Sequence, residues 1–168
     1  MVELLPLSAC DPGAIENLLD AAFGTDRKSR TAYLLRDGTA CMPALSFGLL
    51  SSTHLIGSIQ CWPVLIEASD GDSAAMVLVG PVAVAPELQG LGHGQALMQA
   101  MVDAAMLEGN PPMVMIGDAE YYGRFGFSAA ETAGWNLPGP FEQNRLLLRN
   151  EGDYILPLTG MIGPDIGD

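Results

Sequence analysis

Val82-Ala83-Val84-Ala85-Pro86-Glu87-Leu88-Gln89-Gly90-Leu91-Gly92-His93-Gly94 is the stretch on which the reading of this chain turns. It stands between a strand-like run over 74–84 and a helical pattern over about 92–108. In the helical pattern Leu97, Met101, Ala104, Ala105 and Glu108 share turns, and Met98 with Val102 widens the apolar stripe. Glycines at the mouth of a helix let a ligand approach the backbone without meeting a Cβ. The first-turn N–H groups have no intrahelical partner, and with the helix dipole they favour an anion such as a phosphate. The structural alternative is a glycine-lined helix start packed on a sheet. Against it, three alternating glycines carry an entropic cost that no local turn requirement explains in full. A Walker A loop needs a lysine after its last glycine, and the only lysine here is Lys28. A dinucleotide-binding turn needs G-x-G-x-x-G, and Gly94 comes one position too early for it.

Upstream of this stretch, residues 2–9 read as a short first strand. Asp11 is a good N-cap and Pro12 suits a first helical position. Ile15, Leu18, Leu19, Ala22 and Phe23 then mark one helical face, and Gly24 can end it. A weaker helix over 26–37 ends at Gly38 and carries Arg27, Lys28, Arg30 and Arg36, either as a solvated face or as the border of a ligand mouth. The runs 44–50, 54–66 and 74–84 form an antiparallel meander with turns at Ser51-Ser52-Thr53 and Ser69-Asp70-Gly71-Asp72. Pro63 demotes part of the second run to an edge or a bulge. Gly80-Pro81 interrupts the third, which predicts that it splays from a neighbour near its end.

Downstream, Asn110-Pro111-Pro112 stops the long helix, and Met113-Val114-Met115-Ile116 suits a strand buried on both faces. A strand, a helix and an adjacent strand imply one right-handed parallel crossover. One or two helical turns fit 118–124, two more strands fit 125–130 and 145–149, and 159–168 reads as a loose tail. The expectation is a mixed α/β domain over 1–158, antiparallel in its first half, followed by that tail.

Composition narrows the function. The chain has 168 residues, 49 % of them hydrophobic and 16 % charged, which excludes a disordered polyelectrolyte. Seven basic against twenty acidic residues give a net charge of −13, so no large basic face for nucleic acid is expected. Cys10, Cys41 and Cys61 fit neither a disulfide framework nor a zinc site, and no metal is expected. The start, MVELLPLSACDPG, lacks a basic n-region, and no run of 18 apolar residues crosses a bilayer; the expectation is a cytoplasmic protein with no membrane partner.

With the glycine turn and its setting in place, Gln89-Gly90-Leu91-Gly92-His93-Gly94 resembles the Q/R-x-x-G-x-G/A signature of the GNAT superfamily of acyl-CoA-dependent N-acetyltransferases. Val84-Ala85-Pro86 fits the residues before it. Tyr121-Tyr122-Gly123-Arg124-Phe125-Gly126-Phe127 resembles the family's Y-x-x-x-G-F element, closest to its YhbS-like branch. The resemblance covers about 3–150. It implies a GNAT-like fold, with a parallel strand pair splayed around an acetyl-CoA site and flanking helices. It also implies that the amides of the 89–94 turn hold the pyrophosphate, while the 82–84 backbone (Val82, Ala83, Val84) pairs with the pantetheine arm. Gln89 replaces a frequent arginine and supplies an amide instead of a charge. His93 is either an exposed helix-start residue or a contact to the phosphate end.

By the same resemblance Tyr122 gives a proton to the departing thiolate, and it also lies on the cofactor path. Its residue-level alternative is aromatic core beside Phe125 and Phe127, which is the preferred reading for Tyr121. Relatives often carry a glutamate on the strand before the turn, but 76–84 holds no carboxylate. Glu67, Asp118 and Glu120 are the nearest candidates for a base, with Asp118 first; a water chain or a partly neutral amine is the alternative. His54 reads as structural, and Cys41 and Cys61 have no histidine partner to activate a thiolate. The implied activity is direct acetyl transfer from acetyl-CoA to a primary amine of a small molecule or peptide. The other readings are a non-catalytic acyl-CoA sensor and an acyltransferase using a hydroxyl acceptor or a longer acyl chain. The apolar fraction permits a homodimer without assigning it a surface.

Overall fold

The computed structural model describes residues 1–167. In chain order it contains β1 (Val2–Pro6), α1 (Pro12–Phe23), α2 (Thr31–Leu34), β2 (Phe47–Ser51), β3 (His54–Glu67), β4 (Ser73–Val84) and α3 (His93–Leu107). There follow β5 (Met113–Ile116), α4 (Ala119–Tyr122), β6 (Trp135–Asn136), β7 (Leu146–Arg149) and β8 (Gly160–Pro164). The strands form one mixed eight-stranded sheet, ordered β1-β2-β3-β4-β5-β7, with β8 pairing β3 and β6. No helix among the described residues is long and apolar enough to cross a membrane.

The chain divides into two compact units. The first comprises 1–28, 41–61 and 80–108. Here β1 and β2 pair antiparallel, as do β2 and the first part of β3. Asp11 caps α1 as expected, its Oδ2 accepting the Ala14 N–H at 2.9 Å. Gly24 ends the helix at φ +92°, a conformation that would strain an L side chain. Leu18 and Leu19 are buried with Ala83 and Ala85, flanked by Ile15, Ala22, Phe23, Leu55 and Leu88. On α3 the buried residues are Leu97, Met98, Met101, Val102 and Ala105, the anticipated stripe.

The second unit comprises 29–40, 62–79 and 109–168. Its core gathers Leu35, Val64, Ile66, Met76, Leu78, Val114, Trp135, Leu137, Leu146, Leu148 and Ile162. β4 and β5 run parallel with Val77 opposite Met113 and Leu78 opposite Val114, the crossover pair read from the apolar run. β5 then pairs antiparallel with β7 along its whole length.

Three expectations are corrected. The helix over 26–37 is broken into a 3-10 turn, Arg27–Ser29, and the short α2. The cause lies in Arg27, which is 2 % exposed and ion-paired to Glu16 and, at 3.0 Å, to Asp20, both on α1. The cationic side chain nearest α1 is therefore neither a solvated face nor a ligand mouth, whereas Lys28 and Arg30 are exposed. Residues 125–130 are not a strand. Gly126 takes φ +91° and turns the chain, leaving one antiparallel bridge, Ser128 to Leu148. Within the expected tail, 160–164 is not loose: β8 inserts beside β3 and β6, with Ile162 fully buried. Asp168 lies outside the described residues. The edge expected at Pro63 is present: β2 pairs β3 up to Ile59 and β8 pairs it from Val64, so Pro63 falls in the interval that neither ladder covers.

The Arg27 arrangement carries a stability prediction. A buried charge stripped of its partners costs more than its removal. Glu16→Gln with Asp20→Asn is expected to destabilise by about 3 kcal/mol in denaturant unfolding, and Arg27→Met by distinctly less. The reverse order would show that the other contacts of the buried Arg27 side chain outweigh its pairs with Glu16 and Asp20.

Candidate active site

In the first unit, β4 runs into the glycine turn. Within a strand, successive backbone polar groups point to alternate sides. The Ala85 N–H donates to Ile56 O on β3 at 2.8 Å, so Ala85 and, by alternation, Ala83 turn their polar groups toward β3. Val82 and Val84 accordingly turn theirs away from it. The Val84 carbonyl accepts from Gln89 Nε2 at 3.3 Å, which ties the turn back to the strand that precedes it. The Ala83 side chain is buried against the α1 cluster, a packing role distinct from the backbone role of its neighbours.

Gly90 and Gly92 adopt φ +83° and +87°, so the turn itself requires glycine at two of the three positions. A turn requirement that the sequence did not reveal therefore exists. Around both glycines there is also open space: a Cβ built on either meets no heavy atom within 4 Å. Gly92 is the N-cap residue of the 15-residue α3, and no side chain caps the helix. The first intrahelical bond runs from Ala96 N–H to Gly92 O, leaving the amides of His93, Gly94 and Gln95 outside the intrahelical ladder. His93 and Gly94 are half-buried, while Gln89 to Gly92 are exposed. This geometry can receive an anion on main-chain donors without any lysine.

The Y-x-x-x-G-F element lies in the second unit. Asp118 caps α4, its Oδ1 accepting the Glu120 N–H at 3.0 Å, and it is exposed. The Tyr122 ring lies over Gly117, where a Cβ would come within 2.7 Å of Tyr122 Cε2. The ring meets Tyr121 edge to face, with centroids 4.8 Å apart. Burial, first, and the neighbouring Tyr121 and Asp118 push the Tyr122 phenol above its ordinary range, while Arg145 acts in the opposite direction. Tyr121 has the Arg124 guanidinium 4.3 Å from its ring centre and Phe125 beside it, the aromatic packing expected of it.

Glu67 ends β3 opposite Met161, exposed, and Glu120 is exposed on α4. His54 starts β3 opposite Ser51. Cys61 is fully buried and its thiol is pushed strongly upward by burial and by Cys41, whose Sγ lies 3.0 Å from Ser46 Oγ. Neither arrangement makes a nucleophile. No cluster of three or more His, Cys, Asp or Glu that could hold a metal occurs among the described residues. Two residues that sequence reading passed over belong to the tyrosine element. Arg145 bears on the Tyr122 phenol, and the buried Arg149 donates from Nε to the Phe125 carbonyl at 3.1 Å. An arginine ending an apolar strand carries no signal that would single it out.

The model of the acetyltransferase (GNAT) family matches residues 14–127, and the chain belongs to that family of acyl-CoA-dependent acetyltransferases. It is 28 % identical over 134 residues to the N-acetyltransferase YjhQ of Escherichia coli K12, covering 79 % of this chain and 74 % of YjhQ. To YhbS of the same organism it is 29 % identical over 129 residues, 75 % of this chain and 71 % of YhbS. The fold matches the crystal structure of E. coli YhbS in complex with CoA with a TM-score of 0.70 at 22 % identity, covering 98 % of this chain and 88 % of the other. It also matches a GNAT acetyltransferase from Brucella melitensis in complex with acetyl-CoA, with a TM-score of 0.63 at 23 % identity and coverages of 97 % and 95 %.

The raised Tyr122 phenol makes a pH prediction. Below its unfolded value of about 10 the phenol is neutral in both states. Above that, the unfolded chain loses the proton while the folded chain still holds it, so stability falls as pH rises through about 10 and beyond. Thermal melts between pH 8 and 11 (about one unit or more either side of that value) are expected to show a steeper alkaline loss for wild type than for Tyr122→Phe. Identical slopes would mean that the ring is not buried as described.

Proposed function

We propose that this chain transfers an acetyl group from acetyl-CoA to a primary amine on a small molecule or an exposed amino group, directly, within a ternary complex. The observation that carries the reading is the 89–94 turn, with two left-handed glycines beneath open space at the start of an uncapped helix. A diphosphate fits it for physical reasons, because main-chain amides supply the donors and no Cβ stands in the way. The names and ligands of YjhQ, YhbS and the Brucella protein support nitrogen as the acceptor atom and acetyl-CoA as the donor. They also favour a place in the YhbS-like branch.

In this reading the amides of the turn hold the pyrophosphate, with His93 beside its phosphate end. The backbone of Val82 and Val84 pairs with the pantetheine arm, Ala83 between them holding the strand to its core. Bound acetyl-CoA supplies an activated thioester. The amine nitrogen bonds to the acetyl carbon, the carbon–sulfur bond breaks, and the Tyr122 phenol gives its proton to the sulfur. The amine proton leaves to water, and the Tyr122 phenolate regains a proton from solvent once the thiol has departed. Burial keeps the Tyr122 phenol neutral, so it carries a proton that it can give to the sulfur. The charge of −13 favours a cationic acceptor by steering.

Calorimetry with CoA, followed by thiol release across a panel of primary amines, tests the reading. Wild type is expected to bind CoA and turn over at least one amine. Gly92→Ala is expected to bind at least about tenfold more weakly, with a modest fall in melting temperature from its positive φ. Tyr122→Phe is expected to keep CoA affinity and lose about 10²-fold in kcat, whereas Tyr121→Phe stays near wild type. CoA binding without turnover of any amine or hydroxyl acceptor would instead leave an acyl-CoA sensor, and faster reaction with propionyl- or succinyl-CoA would revise the acyl group.

For Asp118, the bond to the Glu120 amide and the exposure favour positioning of the turn and acceptor. Asp118→Asn is expected to raise KM for the amine with kcat little changed. A loss of about 10²-fold in kcat together with the acidic limb of the pH profile would make it the base.

A further inference from the structure

The segment that carries Tyr122 is held at one end by the residue that precedes β7 and at the other by β7 itself. At its start the Gly117 N–H donates to the Arg145 carbonyl at 2.9 Å. At its end Ser128 and Leu148 exchange two backbone bonds of 3.0 and 2.8 Å. Between these anchors the chain makes α4 and a 3-10 turn, Gly123–Phe125, whose last carbonyls lack helical partners. One of them, Phe125 O, accepts from Arg149 Nε at 3.1 Å. The same guanidinium donates from Nη1 to Asn110 Oδ1 at 2.9 Å, and Arg149 is only 5 % exposed. Asn110 lies at φ +49° in the connection leading to β5, which pairs Met113 with Arg149 itself. Gly126, at φ +91°, turns the chain beside this crossing. A planar fork with several donors can span two such acceptors; a lysine ammonium at the end of a flexible stem holds them less rigidly.

We propose that Arg149 is a positioning residue for the acetyl transfer, its guanidinium clamping the Phe125 carbonyl to the Asn110 side chain and so fixing the turn from which the Tyr122 ring projects. The proposal rests on the reading of Tyr122 as the proton donor. Arg149 touches no reacting group. Its influence runs through the backbone of 122–126, where the Gly126 N–H bonds to Gly123 O and the Phe127 N–H to Tyr122 O.

Two measurements on the full chain separate the proposal from that reading. The first is NMR of tyrosine labelled with carbon-13 at Cζ, the protein having four tyrosines and Tyr122→Phe assigning the signal. In Arg149→Met the Tyr122 signal is expected to broaden and to titrate at lower pH, closer to an exposed phenol, with Tyr33 unchanged. The second is a cycle of Arg149→Met and Tyr122→Phe, read as kcat with saturating amine. Arg149→Met is expected to lower kcat about tenfold with CoA affinity kept, Arg149→Lys to recover part of it, and the double variant to match Tyr122→Phe alone. An unmoved Tyr122 signal overturns the proposal, and so does a tenfold loss that persists in full on top of Tyr122→Phe. If Tyr122→Phe alone has wild-type kcat, the proton-donor reading fails and the catalytic role of Arg149 falls with it, whatever the signal shows. Should Arg149→Met not fold, Asn110→Gly, which tolerates the positive φ and removes only the second acceptor, is expected to give the same shift in smaller measure; its absence overturns the proposal.

Discussion

The parallel ladder between β4 and β5 comprises Val77–Met113 and Leu78–Val114, while β4 itself continues to Val84. Backbone polar groups must find partners or water, so a strand that outruns its neighbour has to be accommodated by other means. On one side the Ala85 N–H finds Ile56 O. On the other, the Val84 carbonyl takes the Gln89 amide, and the chain turns through two left-handed glycines into α3. Beyond the short ladder the strand is thus tied to β3 on one side and to its own turn on the other before α3 begins. Gln89, read from sequence as a neutral substitute for arginine at a phosphate, has a structural duty besides.

What could be read from the residues was what local chemistry dictates. Asp11 and Pro12 announced α1 because capping depends on adjacent atoms. The apolar run 113–116 announced a buried strand because it has no polar face. The glycine turn and the tyrosine element could be placed on their elements for the same reason. What stayed hidden depends on partners distant in sequence. The 26–37 segment has helical character, yet Arg27 leaves that face to pair with carboxylates on α1. Gly126 gave no sign that it would sit at positive φ and end the strand pattern over 125–130.

Glycine was the residue hardest to interpret, because three different physical needs wear the same letter. Gly90 and Gly92 satisfy backbone conformation and leave space around them. Gly117 makes room for an aromatic ring. Gly160 makes room for main chain, since a Cβ there would lie 2.8 Å from the Glu67 carbonyl. Reading 159–168 as loose followed from counting glycines; the close approach of β8 to β3 is the reason one of them is present.

That approach bears on how the chain acquires its structure. β8 pairs Met161 through Pro164 with Glu67 back to Val64, so the partner of the second half of β3 is synthesised long after β3 itself. Contacts so far apart in sequence form late and slow folding. Until they form, 64–67 presents an open strand edge flanked by Val64 and Ile66, both destined for complete burial, and an open apolar edge is a template for pairing with other chains. In the folded chain β8 covers that edge, and the charge of −13 is the feature of the composition that opposes association through it whenever it is open.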